Sequence, residues 1–246
     1  LMETAQFVVN VCSPNGLEPR GKGVISAQKV RLIHAAIRYY IKKYGWDDKY
    51  GVPINQQDMA GTLQSFSTLI IEGLEIMKID LTEDEKEGYY HCWRVVGHLM
   101  GVDEQLNPPT HQEGLALGNT IFKNQMAPSK EGEALTNAVC DFMTEVLPGK
   151  LFKHTPEAII RHLVGEDVAK TLNLDDHESL FTKIIPKLIN IAFSAADDLQ
   201  DSSKLLSKIM SYVNIHLLQS MLTHFNDNEK VRFDIPPSLK NDWKLN

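Results

Sequence analysis

Cysteine is scarce in this chain. Cys12, Cys92 and Cys140 are three in 246 residues, an odd count that closes no disulfide framework and falls in no metal-ligand spacing. That scarcity favours a reducing compartment, and the expected localisation is cytoplasmic. Basic charge is also short: with a formal net charge of −7 there is no basic face to displace counterions from phosphates, which excludes a nucleic-acid footprint. No apolar run approaches the roughly 18 residues that span a bilayer. Alternating apolar and polar residues of strand type, internal repeats and low-complexity linkers are likewise missing. The serines and cysteines sit in no nucleophile motif, and Gly16, Gly21 and Gly23 match neither nucleotide-binding glycine pattern. Hydrolase and nucleotide chemistry therefore have no foothold.

At 43% hydrophobic and 23% charged residues the composition is that of an ordinary globular protein, and one domain over residues 1–246 is the simplest organisation. Helical punctuation is dense. Apolar residues recur at helical spacing over 1–11 and stop at Ser13-Pro14-Asn15-Gly16. Ser26 reads as the cap of a helix that runs to Tyr44 and is closed by Gly45. Asn55 with Asp58 opens a long helix ending near Lys78, and Thr82 with Glu85 forms a capping box for a helix closed by Gly101. Thr155-Pro156-Glu157 is another start, and amphipathic stretches follow at 178–193 and 203–225. The expected class is all-α, a bundle of about eight to ten helices. The chain begins inside helical pattern at Leu1, so further N-terminal helices are expected upstream.

The segment that carries chemistry is Arg31-Leu32-Ile33-His34-Ala35-Ala36-Ile37-Arg38. Arg31, His34 and Arg38 stand at i, i+3 and i+7 and share a helical stripe. Turned inward, two guanidinium groups need anions, and an imidazole between them can bind a metal. The plain alternative is the wet side of an amphipathic helix whose Ile33, Ile37, Tyr40 and Ile41 pack on the core, an arrangement that Lys42 extends. His91 and His98 are seven apart, which misses the spacing of a metal pair, and are read as core or interface histidines. Tyr89, Tyr90, Trp93 and Tyr212 are read as core aromatics.

Arg31 to Arg38, taken with Trp46, Gly51-Val52-Pro53-Ile54-Asn55-Gln56-Gln57-Asp58, Gly61-Thr62-Leu63 with Phe66, Trp93 to Val102, and Ile235-Pro236-Pro237 with Trp243, resembles the rubber oxygenase family over nearly the whole chain. That family includes the bacterial latex-clearing proteins and an ER-bound oxygenase of mycophenolic acid biosynthesis. The resemblance implies a helical fold around haem b, with His34 as the iron ligand and Arg31 and Arg38 beside it. It further implies that His34, Arg31, Arg38 and Thr62 hold the cofactor, and that Thr4, on the distal side, and Arg31 serve catalysis. Glu3 departs from the pattern, because the latex-clearing proteins carry there a lysine that caps the iron in a closed state. The implied activity is a haem b-dependent oxygenase using dioxygen on a small apolar substrate, isoprenoid or alkene. Two rival classes stand beside it: a haem carrier or sensor without turnover, and a haem-free helical interaction protein of the same fold.

Overall fold

Local chemistry sets several of the helix ends seen in the computed structural model, in which residues 2–77, 79–146 and 155–174 are described. Nine α-helices and no strands occur among them: α1 (Met2–Cys12), α2 (Lys22–Tyr44), α3 (Gln56–Phe66), α4 (Thr68–Ile76), α5 (Glu83–Met100), α6 (His111–Gln125), α7 (Lys130–Val146), α8 (Thr155–Val164) and α9 (Glu166–Thr171). The fold is all-α. The stretches at 178–193 and 203–225, Tyr212, Ile235-Pro236-Pro237 and Trp243 lie outside the described residues.

The Asn55–Asp58 pair forms a reciprocal capping box at α3, and Thr82 with Glu85 does the same at α5. Gly101 ends α5 in the left-handed conformation, φ 82°, donating its N–H back to the last turn. Two expected boundaries move. Ser26 lies inside α2, which begins at Lys22 behind Gly21. Its hydroxyl is buried and accepts from Asn10 Nδ2 on α1 at 2.8 Å, so a partner from another helix replaces the capping role. The long helix after Asn55 is in fact two, broken at Ser67. There the Ser67 hydroxyl donates to the Leu63 carbonyl and the Thr68 hydroxyl to that of Gln64, side-chain bonding that bends helices.

The described residues form two compact units. One takes those up to Ile70 together with Thr82–Lys123; the other takes Ile71–Leu81 and the described residues from Asn124 onward. In the first, α1 lies against α2, and α5 packs on α2 and α3. Its core joins Phe7 and Val11 of α1, Ala27 of α2, Ala60 and Leu63 of α3, and Trp93 and Val96 of α5. Trp93 stacks on Phe66 with ring centroids 5.2 Å apart, Tyr90 is buried, and Tyr89 donates its hydroxyl to the Phe66 carbonyl. His91 and His98 are exposed, contrary to a place in the core. For His98, in the last turn of α5, the negative end of the helix dipole is a favourable site facing water.

Two glycines permit close approaches between helices. A Cβ at Gly23 would sit 2.8 Å from the Val11 Cα, so α1 and α2 meet backbone to backbone there. A Cβ at Gly97 would sit 2.5 Å from Leu63 Cδ2 and 3.2 Å from the Asn107 side chain, which fixes the α3–α5 spacing. In the second unit, Cys140 of α7 packs with Ala169 and Leu174, and Arg161 of α8 donates to the Leu174 carbonyl at 2.8 Å while pairing with Glu166.

Because the added Cβ would press on both the Leu63 methyl and the buried Asn107 amide, Gly97→Ala is expected to destabilise the fold by about 1–3 kcal/mol, the usual range for overpacking. Urea unfolding of the variant beside the parent chain checks this, and an unchanged midpoint would contradict the packing described.

Candidate functional site: an apolar cavity walled by His34

A cavity of about 490 Å3 has all its described lining residues in the first unit, a size in the roughly 300–1,000 Å3 range of small-molecule and cofactor sites. The surface of α2 that faces it carries Val30, Ile33, His34 and Ile37, the i, i+3, i+4, i+7 spacing of a single helical face. Arg31 and Arg38 fall on the other side of His34 and do not line the cavity. The imidazole thus stands at the seam between the apolar and cationic sides, and the isoleucines of the plain amphipathic reading share its wall. Leu63 and Phe66 of α3, Trp93 and Val96 of α5, and Phe7 of α1 complete a largely apolar floor. Exposed Glu3, Thr4, Asp58 and Thr62 supply its polar lining.

His34 is half-buried, and its Nδ1 is enclosed without a hydrogen-bond partner among the described residues. Burial lowers its pKa below the ordinary 6.5, and the positive charge of Arg38 lowers it further. At neutral pH the imidazole is therefore uncharged and keeps a lone pair for a metal. Among the described residues no group of three or more His, Cys, Asp or Glu is arranged to cage a bare ion. A lone imidazole in an apolar wall offers too few donors for such an ion. It is what an iron already held in a macrocycle needs from a protein, so the residues present fit haem.

The two arginines build the wall in a way that spacing did not disclose. Arg31, exposed, donates from Nη1 to the Leu99 carbonyl at 3.2 Å, next to the lining residue Met100. Arg38, partly buried, donates from Nε to the Ile54 carbonyl at 3.1 Å and approaches Met59 Sδ at 3.7 Å; Ile54 and Met59 both line the cavity. Ile54 has φ +52°, a left-handed conformation rare for a β-branched residue and held here by that Arg38 contact and the α3 cap that follows. Sequence reasoning missed Ile54, since nothing in Gly51-Val52-Pro53-Ile54 shows which residue takes the strained turn. It also saw Asp58 only as a cap. The carboxylate does accept from Asn55 N at 2.9 Å, yet it also lines the cavity. Thr62 lines the cavity with its hydroxyl donating to the Asp58 carbonyl at 2.8 Å, and Thr4 and Glu3 line it from α1. Gln56 clamps the end of α5 by donating to the Gly101 carbonyl and accepting from Asp103 N, which sets Val102 in the wall.

Residues 1–184 match the family described as ER-bound oxygenase mpaB/B'/Rubber oxygenase, catalytic domain. The chain belongs to that family. A rubber oxygenase of Streptomyces sp. (strain K30) is 26% identical over 178 residues, which cover 71% of this chain and 44% of that relative. The chain thus spans less than half the length of this curated member. A structure of latex clearing protein LCP in the closed state superposes with a TM-score of 0.76 at 21% identity, covering 96% of this chain and 65% of that one. The all-α rubber oxygenase fold is therefore common to both. Among the described residues no helix is long and apolar enough to cross a membrane.

Because the pKa of His34 is lowered, the folded chain resists its protonation more than the unfolded chain does. Its share of stability is present above the unfolded value, near 6.5, and is lost as pH falls below it. An NMR titration of the cofactor-free chain is expected to place the His34 midpoint below 6.5, with the acid-side loss of stability smaller in His34→Gln. A midpoint at or above the ordinary value would contradict the burial described.

Proposed function

We propose that this catalytic domain is a haem b-dependent oxygenase acting with dioxygen on a small apolar substrate of isoprenoid or alkene type. The observation that carries the reading is a neutral, half-buried His34 set in the wall of an apolar cavity, in a chain of the rubber oxygenase family. The bound haem would supply the binding and reduction of dioxygen and the oxidation chemistry itself.

The chain's own residues account for the rest. His34 would give its imidazole lone pair to the iron. Arg31 and Arg38 place positive charge on either side of it along α2, the charge that two propionates need. Because their contacts to the carbonyls of Leu99 and Ile54 engage only part of each guanidinium's donor set, both roles are compatible. The floor made by Phe7, Leu63, Trp93 and Val96 excludes water and receives the apolar substrate. Thr4 on α1 and Thr62 on α3 bring hydroxyl groups to the lining. Glu3 brings a carboxylate where the latex-clearing proteins have their iron-capping lysine. It donates no such amine, so the resting state of this domain differs from a lysine-capped one.

His34→Ala is expected to abolish stoichiometric haem and its Soret absorbance while leaving the helical circular dichroism in place. Full haem retention in that variant would refute the assignment. Oxygen uptake on an isoprenoid by the haem-loaded parent protein separates an oxygenase from a carrier or sensor, which changes spectrum with ligand but consumes nothing.

A further inference from the structure

The end of α2 and the loop after it gather aromatic and lysine side chains on the outside of the first unit. Tyr39, Tyr44, Tyr50 and Val52 are 56%, 75%, 64% and 50% exposed, so none of them is held by the core. They are ordered against one another instead. Tyr40 meets Tyr39 edge-on with centroids 5.3 Å apart and stacks on Tyr44 at 6.0 Å. The Lys43 ammonium stands over Tyr39 and Tyr44, 5.7 and 5.5 Å from their centroids. In the loop, Trp46 donates from Nε1 to the Gly51 carbonyl and lies 5.8 Å from Tyr50, over whose ring the Lys49 ammonium sits at 4.7 Å. The bond from Arg38 Nε to the Ile54 carbonyl returns the far end of the loop to α2, so the segment from Gly45 to Pro53 runs beside the last turns of that helix. We infer that this face docks on the surface of an anionic lipid bilayer.

Composition distinguishes the occupant. Lysine is depleted in protein–protein interfaces. Tyrosine and tryptophan mixed with lysine are instead what a membrane interface selects, because the amphipathic rings sit at headgroup level and lysine stems cover apolar surface with their ammonium groups outward. Lys42 and Lys43, in the last turn of α2, also suit the negative end of the helix dipole, but the dipole accounts for no exposed ring. Charge points the same way. The chain carries a net −7, yet within residues 39–52 Lys42, Lys43 and Lys49 outnumber Asp47 and Asp48, and a negative surface favours the orientation that presents them. An excess this small attracts only weakly, so the rings supply most of the hold. The face also adjoins the cavity. Ile37 lines the cavity and is itself 40% exposed; Ile41 and Tyr44 follow it at i+4 and i+7 on the same side of α2, and Ile54, at the end of the loop, is another lining residue. Among the described residues no helix can cross a bilayer, so the contact is one of lying on the membrane. If the substrate is apolar, as proposed above, docking brings the cavity to the phase in which it dissolves; the docking itself depends on neither haem nor turnover.

The test sediments the full purified chain with sucrose-loaded vesicles, either phosphatidylcholine alone or phosphatidylcholine and phosphatidylglycerol in equal parts. The parent chain is expected to co-sediment with the mixed vesicles, and less with phosphatidylcholine alone. Combining Tyr44→Ser, Tyr50→Ser and Val52→Ser should lower partitioning onto the mixed vesicles by about tenfold, with the helical circular dichroism unchanged because all three side chains are exposed. Lys42→Glu with Lys43→Glu should remove the preference for the mixed vesicles, which tests the face independently of the rings. Leu135→Ser, at a position 70% exposed in the other unit, should bind as the parent does. Failure of the parent chain to sediment with the mixed vesicles, or equal sedimentation of the parent and the triple serine variant, would overturn the proposal. So would lipid-free self-association that the triple variant abolishes, which would make the face an interface between proteins.

Discussion

An imidazole set into an apolar wall is tolerated only while it stays uncharged, and the arrangement of the first unit follows from that condition. His34 has apolar neighbours along one side of α2 and two guanidinium groups along the other. Burial disfavours its charged form, and the nearby Arg38 disfavours it again. A residue so placed neither holds a surface ion pair nor satisfies itself against the backbone, and its enclosed Nδ1 has no partner among the described residues. Leaving a buried polar atom unmatched costs free energy, roughly 1–3 kcal/mol in protein terms. A ligand for the imidazole is the simplest compensation, and iron held in a macrocycle is one that the surrounding wall admits.

The rest of the unit keeps that wall in place. Gly23 brings α1 onto α2, Gly97 brings α3 onto α5, and the Asn10–Ser26 bond ties the first pair together. Each arginine beside His34 reaches across to a backbone carbonyl, Leu99 for one and Ile54 for the other, so the charged side of α2 also sets the positions of lining residues. The strained turn at Ile54 is held in the same way. Cationic charge and wall geometry are thereby coupled: the side chains expected to face a cofactor's carboxylates are also those that shape its cavity. Substrate preference in this family member would then rest on the apolar floor and on the polar lining at Glu3, Thr4, Asp58 and Thr62.

Much of this was legible in the residues because it is local. The capping boxes at Asn55 and Thr82 and the glycine after α5 each satisfy backbone groups within a few positions, and the spacing of Ile33 and Ile37 marks an apolar helix face. What escaped depends on partners far along the chain. Ser26 has the composition of a cap but spends its hydroxyl on Asn10, and Ser67 breaks a helix whose apolar periodicity runs on undisturbed. The stripe of Arg31, His34 and Arg38 was read as one face, whereas His34 turns to the apolar side and the arginines to carbonyls at Leu99 and Ile54. Asp58 was seen as a cap alone because a capping carboxylate and a cavity-lining one look the same in sequence.

The central claim is that one apolar cavity, walled by His34 and floored by Trp93, accepts a single porphyrin. Trp93 reports it directly if the other two tryptophans are replaced, as Trp46→Phe and Trp243→Phe, and hemin is titrated into the folded chain. The account predicts saturable quenching of the Trp93 emission that ends at one hemin per chain and coincides with the rise of a shifted Soret band. Emission that stays constant while hemin absorbance grows without saturation would contradict it.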